Sequence, residues 1–258
     1  MPDRPGALPV PEGGGALCLQ GVNFAYGEVP TLTDIALEVR AGETLVVVGT
    51  TGAGKSTIAK LIARLYDPTA GRVLLEGQDL RDTETASIRA HVVLLSQEPH
   101  LFGGTIADNI ALGRPDATPE EIAEVAEAVG AARLIADLPD GYGTEVEQAG
   151  SRLSAGQRQL IALSRAWLVR PRVLILDEAT SALDLPTERR ALASLQRQVC
   201  GSTTVVISHR QAAVDIADQV AVVEAGRVVE LGTPAELLAT DTRFRRFHQQ
   251  WQSTHWVA

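Results

Sequence analysis

The sequence predicts an α/β fold built around a parallel β-sheet. Short runs of consecutive apolar residues, as at 45–48 and 173–176, alternate along the chain with stretches of helical periodicity. Strands that are apolar on both faces are typical of a parallel sheet covered by helices. Alternating strands and helices also indicate right-handed crossover connections. With 45% hydrophobic and 21% charged residues among 258, the chain can bury the core of a folded domain.

The composition excludes several classes of protein. The net charge is −9, and an acidic chain lacks the basic stripe of a nucleic-acid binder, so no nucleic-acid partner is expected. Cys18 and Cys200 have no CxxC spacing and predict neither a disulfide framework nor a zinc site. No segment approaches the ~20 apolar residues that span a bilayer, and residues 1–15 lack the apolar core of a signal peptide. Taken alone, the chain is expected to be cytosolic.

The N-terminal part is predicted to begin with an irregular segment. Residues 1–16 are rich in Pro and Gly and are expected to form a flexible linker or terminus, followed by one domain over 17–258. A β-rich stretch over 17–39 precedes the strand at 45–48. The next apolar positions have the i, i+3, i+4, i+7 spacing of a helix packed on that strand, and they are Ile58, Leu61, Ile62 and Leu65.

The remaining elements follow from capping and turn signals. Thr118, Pro119 and Glu121 form a capping-box pattern that starts a helix over 119–129. This helix belongs to a largely helical middle section over about 98–168. Other predicted elements are strands at 92–95, 173–176 and 204–207, a helix near 187–199, a hairpin turn at Ala225 and Gly226, and a last helical region beginning at Thr233.

A phosphate-binding loop follows the strand at 45–48. Residues 49–56 match GxxxxGK[ST] between an apolar strand and an amphipathic helix, which disfavours a glycine-rich turn without a ligand. Glycines let backbone N–H groups converge on phosphates, and the helix N-terminus adds a partial positive charge. Lys55 is expected to reach the β- and γ-phosphates, and Ser56 to bind Mg²⁺. The expected nucleotide contacts are Gly49, Thr50, Thr51, Gly52, Ala53, Gly54, Lys55, Ser56 and Thr57.

Two carboxylates end the apolar strand at 173–176. A buried strand tolerates charge at its exit, where the ligand crevice of a doubly wound sheet opens. Asp177 is expected to bind Mg²⁺, and Glu178 to orient and polarise the attacking water. With the phosphate-binding loop, this pair predicts an NTPase.

Residues 153–157 read LSAGQ and identify the kind of NTPase. Here the sequence strongly resembles the ATP-binding-cassette (ABC) ATPases, whose signature LSGGQ it matches in four of five positions. The resemblance covers residues 17 to about 240 and implies ATP and Mg²⁺ as cofactors. It further implies an adenine-stacking role for Tyr26, a catalytic and metal-binding role for Gln97, a D-loop ending at Asp184, and a catalytic switch histidine at His209.

The resemblance implies a fold and a dimer. The fold is a P-loop NTPase (RecA-like) parallel-sheet core with an N-terminal antiparallel β subdomain and an inserted α-helical subdomain. Ser154 is interpreted as the N-cap of a helix that points at the γ-phosphate bound by a second nucleotide-binding domain. ATP is then sandwiched between two such domains, identical or different. The residues implied to contact the partner's nucleotide are Ser154, Gly156, Gln157 and Asp184.

Three further stretches indicate a branch of the family. Residues 102–110 (FGGTIADNI), 141–144 (GYGT) and 177–184 (DEATSALD) look like exporters whose membrane and ATPase domains share one polypeptide. That likeness implies a transmembrane-domain partner, a location on the cytoplasmic side of the cell membrane, and a role in powering export. The alternatives are the ATPase subunit of an ABC importer and a soluble, non-transport ABC ATPase. A cassette without turnover is disfavoured, because Glu178 and His209 are both present.

The chain departs from the family pattern at three positions. Ala155 replaces a signature glycine, and a methyl group is small enough to be tolerated there. Glu147 and Gln148 stand where exporters usually have Gly and Glu. The resemblance places that loop against the membrane domain, so the change is expected to affect coupling and not ATP chemistry.

Overall fold

The structure is a computed structural model that describes residues 3–146, 150, 152–198 and 201–254. The chain forms two compact units. The first comprises residues 1–94, 172–177 and 201–258, and the second comprises 95–171 and 178–200. Over the described residues, no helix combines the length and the apolar character needed to cross a membrane.

The elements follow one another in a mixed order of strands and helices. The strands are β1 Leu17–Tyr26, β2 Val29–Val39, β3 Thr44–Val48, β4 Ala70–Leu75, β5 Gln78–Asp79, β6 Val92–Leu95, β7 Gly104–Thr105, β8 Glu145–Val146, β9 Val173–Asp177, β10 Thr203–Ile207, β11 Gln219–Glu224 and β12 Arg227–Gly232. The helices are α1 Lys55–Ile62, α2 Thr85–His91, α3 Ile106–Ala111, α4 Pro119–Val129, α5 Ala132–Ala136, α6 Ala155–Val169, α7 Leu185–Gln198, α8 Gln211–Val214, α9 Pro234–Ala239 and α10 Arg243–Thr254.

The first unit contains the predicted parallel sheet. Its strands lie in the order β12-β11-β3-β10-β9-β6. The neighbours β11, β3, β10 and β9 pair in parallel, and β12 joins by an antiparallel hairpin. Every residue of β3 and β10 is buried, as expected for strands covered on both faces. The hairpin turn has positive φ at Ala225 (45°) and Gly226 (75°), which a type I′ turn requires.

An antiparallel sheet packs on the same core. Its strands lie in the order β2-β1-β4-β5, with antiparallel pairing throughout. Along β1 the side chains of Leu17, Leu19, Val22 and Phe24 are buried and belong to the hydrophobic core that α1 and β3 also line. The predicted RecA-like core with an N-terminal antiparallel β subdomain is confirmed.

Helix α1 ends earlier than its apolar spacing predicts. Ile58, Leu61 and Ile62 are buried as expected. The helix stops at Ile62, because Arg64 adopts a left-handed backbone with φ 48°. Leu65 therefore lies beyond the helix and is 55% exposed, so its predicted place on the buried stripe is wrong.

Residues 8–16, whose composition predicts a linker, make specific contacts in the first unit. Leu8 forms a parallel bridge with Thr83, and Val10 is buried. The Glu76 carboxylate accepts hydrogen bonds from the backbone N–H groups of Gly15 at 2.5 Å and Ala16 at 2.8 Å. This segment is held by side chains that are 60 or more positions away in the sequence.

The second unit is mainly helical. Helices α3 and α4 pack on α6, and α7 contacts α4. The predicted capping box forms at the start of α4, where Thr118 and Glu121 each accept a hydrogen bond from the other's backbone N–H. The unit also contains a short antiparallel pair, β7 with β8, which the helical prediction for residues 98–168 does not include.

Candidate nucleotide-binding and hydrolysis site

The carboxyl ends of three neighbouring strands bring distant motifs to one edge of the parallel sheet. Ile207 of β10 lies opposite Val47 of β3 on one side and opposite Asp177 of β9 on the other. The phosphate-binding loop begins directly after β3, and His209 follows β10 by two residues. In an open α/β sheet this edge is where ligands bind.

The lysine of the phosphate-binding loop makes hydrogen bonds to the backbone of the same loop. Lys55 Nζ donates hydrogen bonds to the backbone carbonyls of Gly49 and Thr50, each at 2.9 Å. Helix α1 starts at this lysine with Gly54 as its N-cap, without a side-chain cap and without an acidic residue in its first turn. The positive end of the helix dipole is therefore suited to an anion such as phosphate.

Two glycines of the loop have positive φ and lie close to neighbouring strands. A Cβ atom at Gly49, where φ is 149°, would lie 2.1 Å from the Val223 carbonyl oxygen of β11. A Cβ atom at Gly54, where φ is 104°, would lie 2.6 Å from the Leu32 side chain of β2. The loop is thus seated between the ends of two strands, and only glycine fits at these points.

A hydrogen bond joins the loop to the acidic strand end. Ser56 Oγ donates to Asp177 Oδ1 at 3.0 Å. A hydroxyl and a carboxylate are the hard oxygen ligands that Mg²⁺ prefers, and Mg²⁺ usually takes only one or two carboxylates beside water and phosphate oxygens. No cluster of three or more His, Cys, Asp or Glu residues that could hold a metal occurs among the described residues. Ser56 and Asp177 therefore fit Mg²⁺ that is bound together with a nucleotide.

Tyr26 and His209 complete the candidate residues of the first unit. Tyr26 is the last residue of β1 and is 38% exposed, so its ring is accessible for stacking. His209 is exposed and directly follows the buried Ser208. The Ser208 hydroxyl accepts a hydrogen bond from the backbone N–H of Arg210 at 3.1 Å, which fixes the turn that carries the histidine.

Glu178 has an unusual backbone conformation. It directly follows Asp177, is half-buried, and has φ 51°. Its carbonyl accepts a hydrogen bond from Ser181 N–H at 3.1 Å, which closes the turn after β9. A residue other than glycine in the left-handed region costs roughly 1–2 kcal/mol, and such strain is concentrated at functional sites.

In the second unit, the signature motif forms the capped start of α6. Gln157 N–H donates to Ser154 Oγ at 3.2 Å, and Ser154 N–H donates to Gln157 Oε1 at 2.7 Å. The interpretation of Ser154 as an N-cap is confirmed. A Cβ atom at Gly156 would lie 3.0 Å from the Ala182 carbonyl oxygen, whereas Ala155 is exposed. The chain therefore keeps glycine where the backbone is crowded and has alanine where there is room.

A buried amide that sequence reasoning missed connects three candidate segments. Gln159 is 2% exposed. Its Nε2 donates to the Gln97 carbonyl oxygen at 3.1 Å, and its Oε1 accepts from Ala182 N–H at 3.0 Å. One side chain of α6 thus holds the exposed Gln97 loop and the 181–184 loop. The sequence signal that could have identified Gln159 is a glutamine at a position on an otherwise apolar helix face.

Asp184 caps the helix that follows the D-loop. Its carboxylate accepts hydrogen bonds from the backbone N–H of Thr187 at 2.9 Å and from the Thr187 hydroxyl at 3.0 Å. These two bonds hold the pKa of Asp184 below its usual range. The residue also lines a cleft of about 750 Å³ that the start of α6 and the helix α5 share.

The structure gathers the candidate residues into two groups. The first unit contains Tyr26, residues 49–57, Asp177 and His209, and the second contains Gln97, Glu178, Ser154, Gly156, Gln157 and Asp184. Glu147 and Gln148 lie outside the described residues.

Comparison with known proteins gives a consistent family assignment. The family model described as ABC transporter matches residues 32–181. The chain is 45% identical over 245 residues to an ATP-dependent lipid A-core flippase of Chromobacterium violaceum, covering 94% of this chain and 42% of the flippase. It is 46% identical over 236 residues to a multidrug efflux ATP-binding/permease protein of Mycobacterium tuberculosis, covering 91% of this chain and 20% of that protein.

A solved structure agrees with the sequence relatives. A bacterial Atm1-family ABC exporter with ATP bound superposes with a TM-score of 0.93 at 36% identity, covering 96% of this chain and 44% of the exporter chain. The chain therefore spans less than half the length of the relatives that it matches. The matched family model covers more than half of this chain, and with the observed fold it shows that the chain belongs to the ABC transporter family.

Proposed function

We propose that this domain binds ATP with Mg²⁺, pairs with a second nucleotide-binding domain around two ATP molecules, and powers export through a transmembrane partner. The observation that carries the proposal is the Ser56–Asp177 hydrogen bond. It brings the phosphate-binding loop and the acidic strand end within reach of one nucleotide phosphate group. The exporter relatives support the transport role.

The first unit supplies the binding groups. Lys55 turns from the loop carbonyls to the β- and γ-phosphates, and the N–H groups at the start of α1 bind the same oxygens. Ser56 and Asp177 would hold Mg²⁺, which when bound neutralises charge on the phosphate oxygens. Tyr26 stacks on the adenine, an interaction of about 1–3 kcal/mol.

The hydrolytic step needs a group that activates water. Glu178 accepts a proton from the water while the water oxygen bonds to the γ-phosphorus. The bond between that phosphorus and the β–γ bridging oxygen breaks, which releases ADP and inorganic phosphate. His209 and Gln97 are assigned to orient the water and the γ-phosphate. The left-handed backbone of Glu178 supports this role, because strained backbone of this kind is concentrated at functional sites.

The second unit supplies groups for the nucleotide of a partner domain. The capped N-terminus of α6 presents its dipole to an anion, and Ser154, Gly156, Gln157 and Asp184 face the same cleft or border it. Each domain then contributes two half-sites. The transmembrane partner would place the domain on the cytoplasmic side of the membrane.

Calorimetric titration with ATP tests the binding role. Lys55→Ala is expected to abolish measurable ATP affinity, because it removes the side-chain charge aimed at the β- and γ-phosphates. Arg40→Ala, which removes a positive charge from an exposed side chain, is the matched control and should bind ATP as the wild type does. Tight ATP binding by Lys55→Ala would contradict the assignment of the loop.

Light scattering after size exclusion tests the paired half-sites. Glu178→Gln keeps the shape of the side chain but is expected to slow hydrolysis by ~10²-fold or more, so the variant should accumulate as an ATP-bound dimer. Adding Ser154→Arg should prevent the dimer while ATP binding persists. A Glu178→Gln protein that stays monomeric with saturating ATP would contradict self-pairing and favour a different chain as partner.

A further inference from the structure

Three aromatic rings form a cluster at the end of β1. The ring centroids of Phe24 and Tyr26 are 4.9 Å apart, and those of Tyr26 and Tyr66 are 5.4 Å apart, both with perpendicular planes. Phe24 and Tyr66 close the triangle at 5.5 Å. Perpendicular rings at these separations are in the favourable edge-to-face arrangement.

One ring of the cluster is buried and the other two are partly exposed to solvent. Phe24 is 6% exposed, whereas Tyr26 and Tyr66 are each 38% exposed. Tyr66 follows the left-handed turn at Arg64 that ends α1. This turn, which the apolar spacing of the helix does not predict, brings the tyrosine back towards β1.

The Lys60 ammonium group of α1 also contacts the aromatic cluster. Lys60 Nζ of α1 lies 5.9 Å from the centroid of the Tyr26 ring, within the range of a cation–π interaction. The start of α1 carries Lys55 and Ser56. Helix α1 therefore has the proposed phosphate-binding residues in its first turn. Lys60 near its end and Tyr66, four residues beyond its end, both contact the Tyr26 ring.

We propose that Tyr66 is a positioning residue for Tyr26, fixing the ring on which the adenine of ATP stacks. A half-exposed tyrosine at a strand end would otherwise sample several rotamers, and ordering it on binding costs free energy. Packing against Tyr66 orders the ring before the nucleotide arrives, which strengthens binding by preorganisation. This inference rests on the proposed ATP-binding role of Tyr26.

If Tyr66 positions Tyr26, replacing Tyr66 should weaken binding of the adenine base and leave binding of the phosphates unchanged. Titration calorimetry on the whole chain compares ATP with inorganic tripolyphosphate, which has no base to stack. Tyr66→Ala should raise the Kd for ATP by about two- to tenfold and leave the Kd for tripolyphosphate unchanged. Tyr66→Phe, which keeps the ring, should bind both probes as the wild type does.

A double-mutant cycle shows whether Tyr66 acts through Tyr26. Tyr26→Ala alone should raise the Kd for ATP by at least about fivefold. In that background Tyr66→Ala should have no further effect, because there is no ring left to position. Leu65→Ala is the matched control, since it removes an exposed apolar side chain adjacent to Tyr66 in the sequence and should leave both affinities unchanged.

Each contrary outcome has a distinct meaning. Equal weakening of ATP and tripolyphosphate by Tyr66→Ala, or additive effects in the cycle, would overturn the positioning role. A loss of ATP affinity with Tyr26→Ala but not with Tyr66→Ala would overturn the inference and leave the proposed function intact. Unchanged ATP affinity in Tyr26→Ala would overturn the inference together with the stacking role, and a wild-type chain that binds no ATP would overturn the proposed function itself.

Discussion

Ser56 Oγ and Asp177 Oδ1 are 3.0 Å apart although the two residues are separated by 121 positions in the sequence. Parallel pairing of β9 with β10 and of β10 with β3 brings them together. In the proposed function, Mg²⁺ bound with ATP would be held by these two side chains.

Asp177→Asn is expected to remove the response to Mg²⁺ while sparing metal-free binding. The amide keeps a hydrogen-bonding oxygen for Ser56 but loses the charge that the cation requires. Even residues that only orient a metal ligand contribute about 10–100-fold to affinity or activity, so ATPase activity should fall by at least that much. The measurement is ATP affinity with EDTA and with a Mg²⁺ titration, and Asp241→Asn, at an exposed carboxylate, is the control. Wild-type Mg²⁺ dependence in Asp177→Asn would contradict the metal assignment.

The backbone strain at Glu178 predicts an inverted order of stability. At position 178, where φ is 51°, the glycine variant should be more stable than the alanine variant by about 1 kcal/mol. At Arg189, an exposed residue inside α7, alanine should be more stable than glycine by a similar amount, about 1 kcal/mol. Urea unfolding of the four variants measures both differences. An alanine variant at 178 that is as stable as the glycine variant would refute the strain.

Gln159→Leu is expected to uncouple the loops that carry Gln97 and Asp184. The substitution leaves the Gln97 carbonyl and the Ala182 N–H without this buried partner, a loss of about 1–3 kcal/mol per unsatisfied group. Since the proposed phosphate contacts all lie in the first unit, ATP affinity should be unchanged while kcat falls. Ser164→Ala is a control on the same helix, because its hydroxyl donates to the Leu160 carbonyl within α6, and it should lower stability without lowering kcat. A Gln159→Leu enzyme with wild-type kcat would show that the two loops do not depend on this amide.

Gly15→Ala is expected to destabilise the fold, although its segment resembles a linker. A Cβ atom there would lie 2.4 Å from the Arg172 carbonyl oxygen, at a φ of 97°. Gly6, with φ 81° and open space around it, shares the backbone strain but not the contact. The thermal midpoint of Gly15→Ala should fall well below that of Gly6→Ala, and the direct contact suggests a difference of about 1–3 kcal/mol. Equal midpoints would mean that residues 8–16 do not pack as described.

Local patterns in the sequence determined the strands, the phosphate-binding loop and the helix caps. The run at 45–48 is strand β3, the capping box at Thr118 forms, and Ser154 caps α6. These features depend on residues within a few positions of one another. Hydrophobic periodicity and capping hydrogen bonds can therefore be read directly from residue order.

Only the tertiary structure decided which distant groups meet. Glu76 binds the backbone of Gly15, Tyr66 packs on Tyr26, and Gln159 bridges two loops. Each contact depends on strand pairing, on a helix end or on a crossover that joins residues far apart in sequence. A glycine-rich segment looks like a linker until a specific carboxylate accepts its N–H groups, and a helical glutamine looks ordinary until burial requires both ends of its amide to find partners.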